Sequence, residues 1–312
     1  MGELPRAVRV REVGPRDGFQ NEPEVIPTEQ KVELIDALAR TGCRRLEVTS
    51  FVRADVVPQL ADGALLLERI DVPREVSVSV LIPNERGLEA ALEHRAKIDE
   101  VNVFLSASET HNEKNVNRSI AESLTALERV ISRAREVGLR CEGVISTSFG
   151  CPYEGHVPAE RVLDIAGRLR DAGAEEIAFG DTTGMANPLQ VREFFAQAHE
   201  RLAAPVSATG ARVELTAHFH NTRGQGLANV LAALEVGIDS FESSFGELGG
   251  CPVPPGATGN IATEDLVSML DEMGISTGIQ LERLLACTRR VQQILGRRLG
   301  SHTLVAGPID WR

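Results

Sequence analysis

Short runs that alternate apolar and polar residues recur about eight times along this chain, and nearly every one is followed by a stretch with helical spacing. A period of two marks a strand and a period near 3.6 marks a helix. The strands are expected at 8–13, 45–50, 76–83, 100–108, 140–148, 176–179, 213–221 and 240–245. Helices are expected between them at 29–40 (with Thr28 as N-cap and Gly42 as stop), 54–70, 85–95, 120–137, 158–172, 188–202 and 226–236. The segment 111–118 (HNEKNVNR) is too polar for either pattern and is expected to be an exit loop. No linker or change of composition interrupts the alternation. Eight strand–helix units are the count of a (β/α)8 TIM barrel, an α/β fold that fits one domain over residues 1–312. Two further helices, at 263–273 and 281–295, are expected to pack on or near it. A doubly wound sheet is the competing fold, but no G-x-G-x-x-G follows the first strand.

In a barrel every strand exit opens on one face, where active sites form. The seventh strand, VELTAHFHN, ends in His218-Phe219-His220, so both imidazoles project to the same side. Alone, such a pair can be two hydrogen-bonded histidines or half of a metal site. Other exits carry Asp17, a hard ligand or an Asp-Gly turn, and Asn260, a metal ligand or a helix N-cap. Arg16 can hold a carbonyl or carboxylate or be a solvated charge. Glu47 shares a strand face with Arg45 and Thr49, either lumenal and paired with an arginine such as Arg16, or on the surface. Asp181 leaves the sixth strand as Asp17 leaves the first, as a base, an orienting carboxylate or a turn residue. Cys251 lies in the Gly- and Pro-rich loop GGCPVPPGATG, a setting more typical of a mobile lid than of a buried inert thiol. Two imidazoles with carboxylate and amide oxygens form a mixed N/O set that favours Mg²⁺ or Mn²⁺ over a closed structural zinc site. An ion of that kind polarises oxygen as a Lewis acid and suits carbon–carbon bond chemistry.

The net charge of −12 argues against a nucleic-acid partner, which requires a clustered basic field. Five scattered cysteines without C-x-x-C spacing indicate a reducing compartment. No apolar run approaches the ~20 residues needed to span a membrane, and the first ten residues lack a secretory h-region. Arg6 stands where a myristoylation motif wants Ser or Thr. The expectation is a cytoplasmic protein.

The motifs REVGPRDGFQNE (11–22), LEVTSF (46–51), VPQLADG (57–63), GCPYEG (150–155), GDTTGMANP (180–188), HFHNTRGQGLAN (218–229) and GGCPVPPGATGNIATEDLV (249–267) resemble the 3-hydroxy-3-methylglutaryl-CoA lyase family. The likeness covers nearly the whole chain in order, and the cysteine loop points to the lyase branch of these metal-dependent barrels rather than to its condensing synthases. The resemblance implies metal ligation by Asp17, His218, His220 and Asn260. Arg16 would bind the substrate's thioester oxygen with Glu47 as partner, Asp181 would be a catalytic-loop carboxylate, and Cys251 the active-site thiol. It further implies an acyl-CoA substrate, a homodimer, and His218 or Asp181 as base. A condensing synthase that joins acetyl-CoA to a 2-oxo acid, or an inactive barrel, are the rival readings. The chain departs from the family at Pro23, where a lysine helps bind the acyl-CoA, at Val56 in the segment 53–56, and at Asn221 and Arg223 beyond the histidine pair. These departures leave the acyl group open.

Overall fold

The computed structural model describes residues 4–206, 209–250 and 259–309. Eight parallel strands close into a barrel in sequence order, with β1 paired to both β2 and β8. The strands are β1 Arg9–Glu12, β2 Arg45–Ser50, β3 Ser77–Leu81, β4 Glu100–Ser106, β5 Arg140–Ser146, β6 Glu176–Asp181, β7 Glu214–Phe219 and β8 Ser240–Ser243. Around them run α1 Thr28–Leu38, α2 Gly63–Arg69, α3 Glu85–Leu92, α4 Glu109–Val116, α5 Ile120–Glu136, α6 Ala159–Ala172, α7 Pro188–Arg201 and α8 Gly226–Leu234. The C-terminal helices are α9 Thr263–Glu272, α10 Leu281–Leu295 and a short α11 His302–Ala306 that lacks a periodic signal of its own.

Four local expectations are corrected. The segment 109–116 is helix α4, held by its ends: Ser108 Oγ accepts from His111 N at 3.2 Å, and Asn117 ends it in the left-handed region at φ 52°. The expected helix at 54–70 is α2 alone, preceded by turns, because Pro58 opens a separate 3-10 turn. Thr28 lies inside α1 behind Pro27, and its hydroxyl donates to Asp62 instead of capping. In β2 the pairing with β3 shifts between Glu47 and Thr49. This bulge turns Thr49 outward against Gly63 of α2, so it does not share the face of Arg45 and Glu47.

The layer between strands and helices is apolar, with Phe149, Phe179, Phe194, Phe195 and Phe219 in mutual edge and tilted contacts. The lumen differs from the branched aliphatic filling usual for this architecture. Arg11 projects into it and donates to Glu100, Glu142, Glu176 and Glu242, while Arg45 donates to Glu176 and Glu100. All six side chains are buried.

At the start of α9, buried Glu264 ties the β8 exit to α10. Its carboxylate accepts from Gly246 N at 2.9 Å and from the Thr288 hydroxyl. Burial lifts its pKa from the ordinary 4.5 to about 7, against those hydrogen bonds. The folded state therefore keeps a proton that the unfolded chain releases, and stability falls as pH rises from the unfolded value through the folded one. Urea midpoints measured at pH 5 and pH 8 are expected to show a loss on the order of 3 kcal/mol from this group. Glu264→Gln is expected to flatten that slope; an unchanged slope would contradict the assignment.

Candidate active site

Most of the expected site residues gather at the C-terminal mouth of the barrel. The turn Gly14–Gly18 after β1 is a single wide helical turn that carries Arg16 and Asp17. His218 is the penultimate residue of β7, and His220 lies just past the strand's end, bridged antiparallel to Asn260. That bridge is extended by Asn221 N donating to Gly259 O at 3.1 Å and Ile261 N to Phe219 O at 3.1 Å. The chain after β7 and the chain before α9 are thus zipped together, which brings Asn260 to the histidines. Gly249 permits the close approach: at φ +99° a Cβ there would lie 2.6 Å from Asn260 Nδ2 and 3.2 Å from Asp17 Oδ2.

One ligand atom each of Asp17, His218 and His220 lies within 4.8 Å of the others. The two Nε2 atoms are 3.1 Å apart, close to the spacing of neighbouring ligands each ~2.1 Å from one octahedral ion. Asn260 Nδ2 donates to Asp17 Oδ2 at 2.7 Å and to Leu248 O at 3.0 Å, which leaves Asn260 Oδ1 buried without a partner. A buried acceptor with no donor is costly in an uncharged site and well used by a cation. Burial, and then the neighbouring His218, push the His220 pKa down to about 3, so it is a neutral ligand. Burial opposes charge on His218 as well, but the hydrogen bond from its Nδ1 to Glu242 Oε2 at 2.8 Å and the charges of Glu242 and Asp17 raise it. Asp17 is lowered: burial works against ionisation, and Arg16 and the histidines outweigh it. These donors fit a divalent ion.

Arg16 Nε donates to Glu47 Oε2 at 2.6 Å, and its Nη1 to Asp17 Oδ1 at 2.8 Å. Glu47 is therefore lumenal and paired with Arg16, with its second oxygen accepting from Asn102 Nδ2 at 2.9 Å. Asp181 is placed differently. It follows Ile177 and Phe179 on the outer parity of β6, opposite to Glu176, which reaches the lumenal Arg11. Its Oδ1 accepts from Met185 N at 2.7 Å and Ala186 N at 3.1 Å, and Oδ2 is buried without a partner. Burial lifts it to about 7. Asp181 thus shapes the β6–α7 loop behind the wall of the site. Cys251 lies outside the described residues.

A cavity of about 820 Å³ opens above the cluster, with Arg16, Asp17, His218, His220 and Glu242 among its lining residues. Helix α4 forms one side through His111, Lys114 and Asn115; Lys114 Nζ sits 5.0 Å from the Tyr153 ring centre. Two features escaped sequence reasoning. The polarity of 111–118 reads as loop where α4 stands, and Glu242, which holds His218, lies within the expected strand 240–245 with no motif to mark it. A charged residue inside a strand is the signal that could have found Glu242, as it found Glu47. Of the divergent positions, Val56 lines the cavity, whereas Arg223 Nη1 spans to Thr183 O and Gly184 O, both at 2.8 Å. Asn221 Nδ2 donates to Glu247 Oε1 at 2.7 Å. Pro23 is exposed and uncharged.

Comparison with known proteins agrees with this geometry. Residues 7–291 match the family model HMGL-like. Hydroxymethylglutaryl-CoA lyase YngG of Bacillus subtilis is 45% identical over 300 residues, which is 96% of this chain and 97% of that protein. The crystal structure of the Bacillus subtilis HMG-CoA lyase superposes with a TM-score of 0.92 at 44% identity, covering 97% of this chain and 99% of that one. An Acinetobacter baumannii HMG-CoA lyase, in complex with coenzyme A and 3-methylmalate, gives 0.91 at 39% identity over 100% and 99% of the two chains. The chain belongs to the HMGL-like family of barrels and stands among its hydroxymethylglutaryl-CoA lyases.

Proposed function

We propose that this protein is a divalent-metal-dependent carbon–carbon lyase that cleaves 3-hydroxy-3-methylglutaryl-CoA to acetyl-CoA and acetoacetate. The observation that carries the reading is the convergence of Asp17, His218, His220 and Asn260 beside the Arg16–Glu47 pair, at the base of a cavity open to a thioester. Asp17, His218, His220 and Asn260 would hold the ion, with Mg²⁺ or Mn²⁺ the best match to an N/O set without thiolates. When bound, it supplies Lewis-acid polarisation of the substrate's tertiary hydroxyl.

His218 faces the cavity and Asp181 lies behind its wall; His218 would take the hydroxyl proton on Nε2 only in exchange for its place on the ion, with Glu242 on Nδ1 steadying the charged imidazole. The bond between C2 and C3 then breaks: the former alcohol carbon becomes the ketone of acetoacetate, and the electron pair passes to C2 as the enolate of acetyl-CoA. Arg16 stabilises the enolate oxygen. A proton delivered to C2 completes acetyl-CoA, and the resemblance assigns that step to Cys251. The same reading has one domain over residues 1–312 and a cytoplasmic homodimer, the latter checked by sedimentation equilibrium. Among the described residues no helix is long and apolar enough to cross a membrane.

The test is direct. Protein incubated with 3-hydroxy-3-methylglutaryl-CoA and Mg²⁺ should yield acetoacetate and acetyl-CoA in equal amounts, stop when chelator is added, and recover with Mg²⁺ or Mn²⁺. CoA release from acetyl-CoA plus a 2-oxo acid, without acetoacetate, would assign the chain to the condensing synthases instead. Asn260→Ala removes one proposed ligand. Groups that merely orient a ligand are worth about 10- to 100-fold in metal affinity, so this variant should weaken Mn²⁺ binding by at least about tenfold in titration calorimetry. Equal affinity would remove Asn260 from the ligand set.

A further inference from the structure

Two side chains outside the proposed ligand set, Asn221 and Glu247, meet where the chain after β7 is zipped to the chain before α9. Asn221 directly follows His220 in the sequence. Its backbone N donates to Gly259 O at 3.1 Å, one residue before Asn260, and its Oδ1 accepts from Gly226 N at 3.3 Å. Its Nδ2 is committed as well, to Glu247 Oε1 at 2.7 Å. One residue thus ties the β7 exit to the start of α8, to the chain before α9 and to the β8 exit.

Glu247 is held in an uncommon backbone state. Its φ is +62°, and among the described residues other than glycine only Asn117 and Thr147 share a positive φ. A residue with a Cβ stays in that region only where its surroundings outweigh the strain. The turn Phe245–Glu247 is pinned from one side: Phe245 N donates to Glu12 Oε1 at 3.0 Å and Gly246 N to Glu264 Oε1 at 2.9 Å. From the other side the chain leaves room for the carboxylate at Gly300, where a Cβ would overlap Glu247 Oε2. Asp265 fixes the residues just past Gly300 by accepting from Ser301 Oγ at 3.1 Å and Thr303 N at 2.7 Å. The acceptor for Asn221 therefore stands on an immobilised turn.

We propose that the Asn221–Glu247 hydrogen bond is a latch that sets the spacing of His220 and Asn260, so that both residues position metal ligands without touching the ion. The proposal rests on the metal-site part of the lyase reading. Its direction matters, because an amide donor meets a carboxylate acceptor. Aspartate at 221 would set two carboxylates against each other at hydrogen-bond distance. Glutamine at 247 would then restore a donor and an acceptor with their order reversed.

Mn²⁺ calorimetry on Asn221→Asp, Glu247→Gly, Glu247→Gln and the Asn221→Asp/Glu247→Gln double variant tests the latch. Glycine suits the positive φ, so Glu247→Gly removes the carboxylate without adding strain. Asn221→Asp and Glu247→Gly are each expected to weaken Mn²⁺ binding about tenfold, within the range for partners that orient a ligand. Glu247→Gln keeps an acceptor for Asn221 and should bind within about threefold of wild type, and the double variant should return to that level. A role in packing alone would not be rescued by exchanging the two polar groups. Hydrogen exchange of the metal-free protein gives a second readout: the Asn221 and Ile261 amides, which close the zipped segment, should exchange about tenfold faster in Asn221→Asp and recover in the double variant. Wild-type affinity and exchange in both Asn221→Asp and Glu247→Gly, or a double variant as impaired as Asn221→Asp, would overturn the latch. If wild type binds no Mn²⁺, the metal reading fails; the latch then stands if those amides show the loss and the rescue, and falls if they do not.

Discussion

Replacing Arg16 by glutamine is expected to lower kcat by about 10²- to 10³-fold, the loss seen when one fixed donor to a developing oxyanion is removed. Two contacts fix this guanidinium before any substrate arrives. Nε is held by Glu47 and Nη1 by Asp17, Asn102 steadies Glu47 from behind, and Nη2 has no acceptor among the described residues. Burial alone would lower its pKa, but Glu47 and Asp17 more than offset that and raise it further. The charge is therefore permanent across the working pH range. Glutamine keeps polarity and approximate length but removes the charge, so the enolate oxygen loses its strongest partner. Arg16→Lys should fall between, because an ammonium keeps the charge without the fork that engages Glu47 and Asp17 together. Mn²⁺ titration provides the control. A drop in kcat with nearly retained ion affinity assigns Arg16 to the chemical step. A parallel loss of ion binding would mean that it only orients Asp17, and an undiminished kcat would remove it from the site.

Why was Arg16 legible before the fold was known, when α4 was not? Arg16, Asp17, Glu47, His218 and His220 announce themselves by residue chemistry at positions where an apolar pattern stops. The barrel then aligns all such stops on one face. The eight strands were legible for a related reason, since an apolar outer face set against a polar, charged lumen makes the residues alternate along a strand. Helix α4 has no such pattern. Its residues Glu-Thr-His-Asn-Glu-Lys-Asn-Val bury little besides Asn112, and its stability comes from the Ser108 cap and the left-handed Asn117. Asp181 shows the opposite limit. Its type and position matched Asp17, but β6 runs on to include it, whereas Asp17 stands in the turn after β1, and strand parity aims Asp181 at loop amides. Thr49 was misplaced by a bulge, which shifts parity without a mark in composition. Residue type was readable; the facing of a side chain was readable only where the strand runs unbroken.

The largest stability loss is expected from Arg11→Met, at about 3–5 kcal/mol in urea unfolding, the cost of leaving buried charges without their counter-ion. Four carboxylates, Glu100, Glu142, Glu176 and Glu242, meet this one guanidinium in the lumen, with Arg45 the second cation of the layer. Two cations cannot neutralise four carboxylates. Burial accordingly pushes the Glu142 carboxyl well above its usual range, and its Oε1 accepts nothing. Glu176 goes the other way: burial opposes its charge, but Arg11 and Arg45 together hold it far below the ordinary value. Without Arg11 these groups must take protons to remain buried, so their folded pKa values rise above the unfolded ones. Stability is then lost as pH rises. The deficit of Arg11→Met should therefore be small at pH 5 and full at pH 8, whereas Glu142→Gln, which replaces a carboxyl already holding its proton, should cost little. A pH-independent deficit would assign Arg11 to packing alone. The same layer also reaches the chemistry, because Glu242 accepts from Arg11 at 3.2 Å with one oxygen and meets His218 Nδ1 with the other. Loosening Glu242 should free His218 to turn, so Mn²⁺ binding by folded Arg11→Met at pH 6 is expected to weaken by about tenfold, within the range for a partner that orients a ligand. Wild-type affinity there would show that the lumenal charges hold the barrel without holding the histidine.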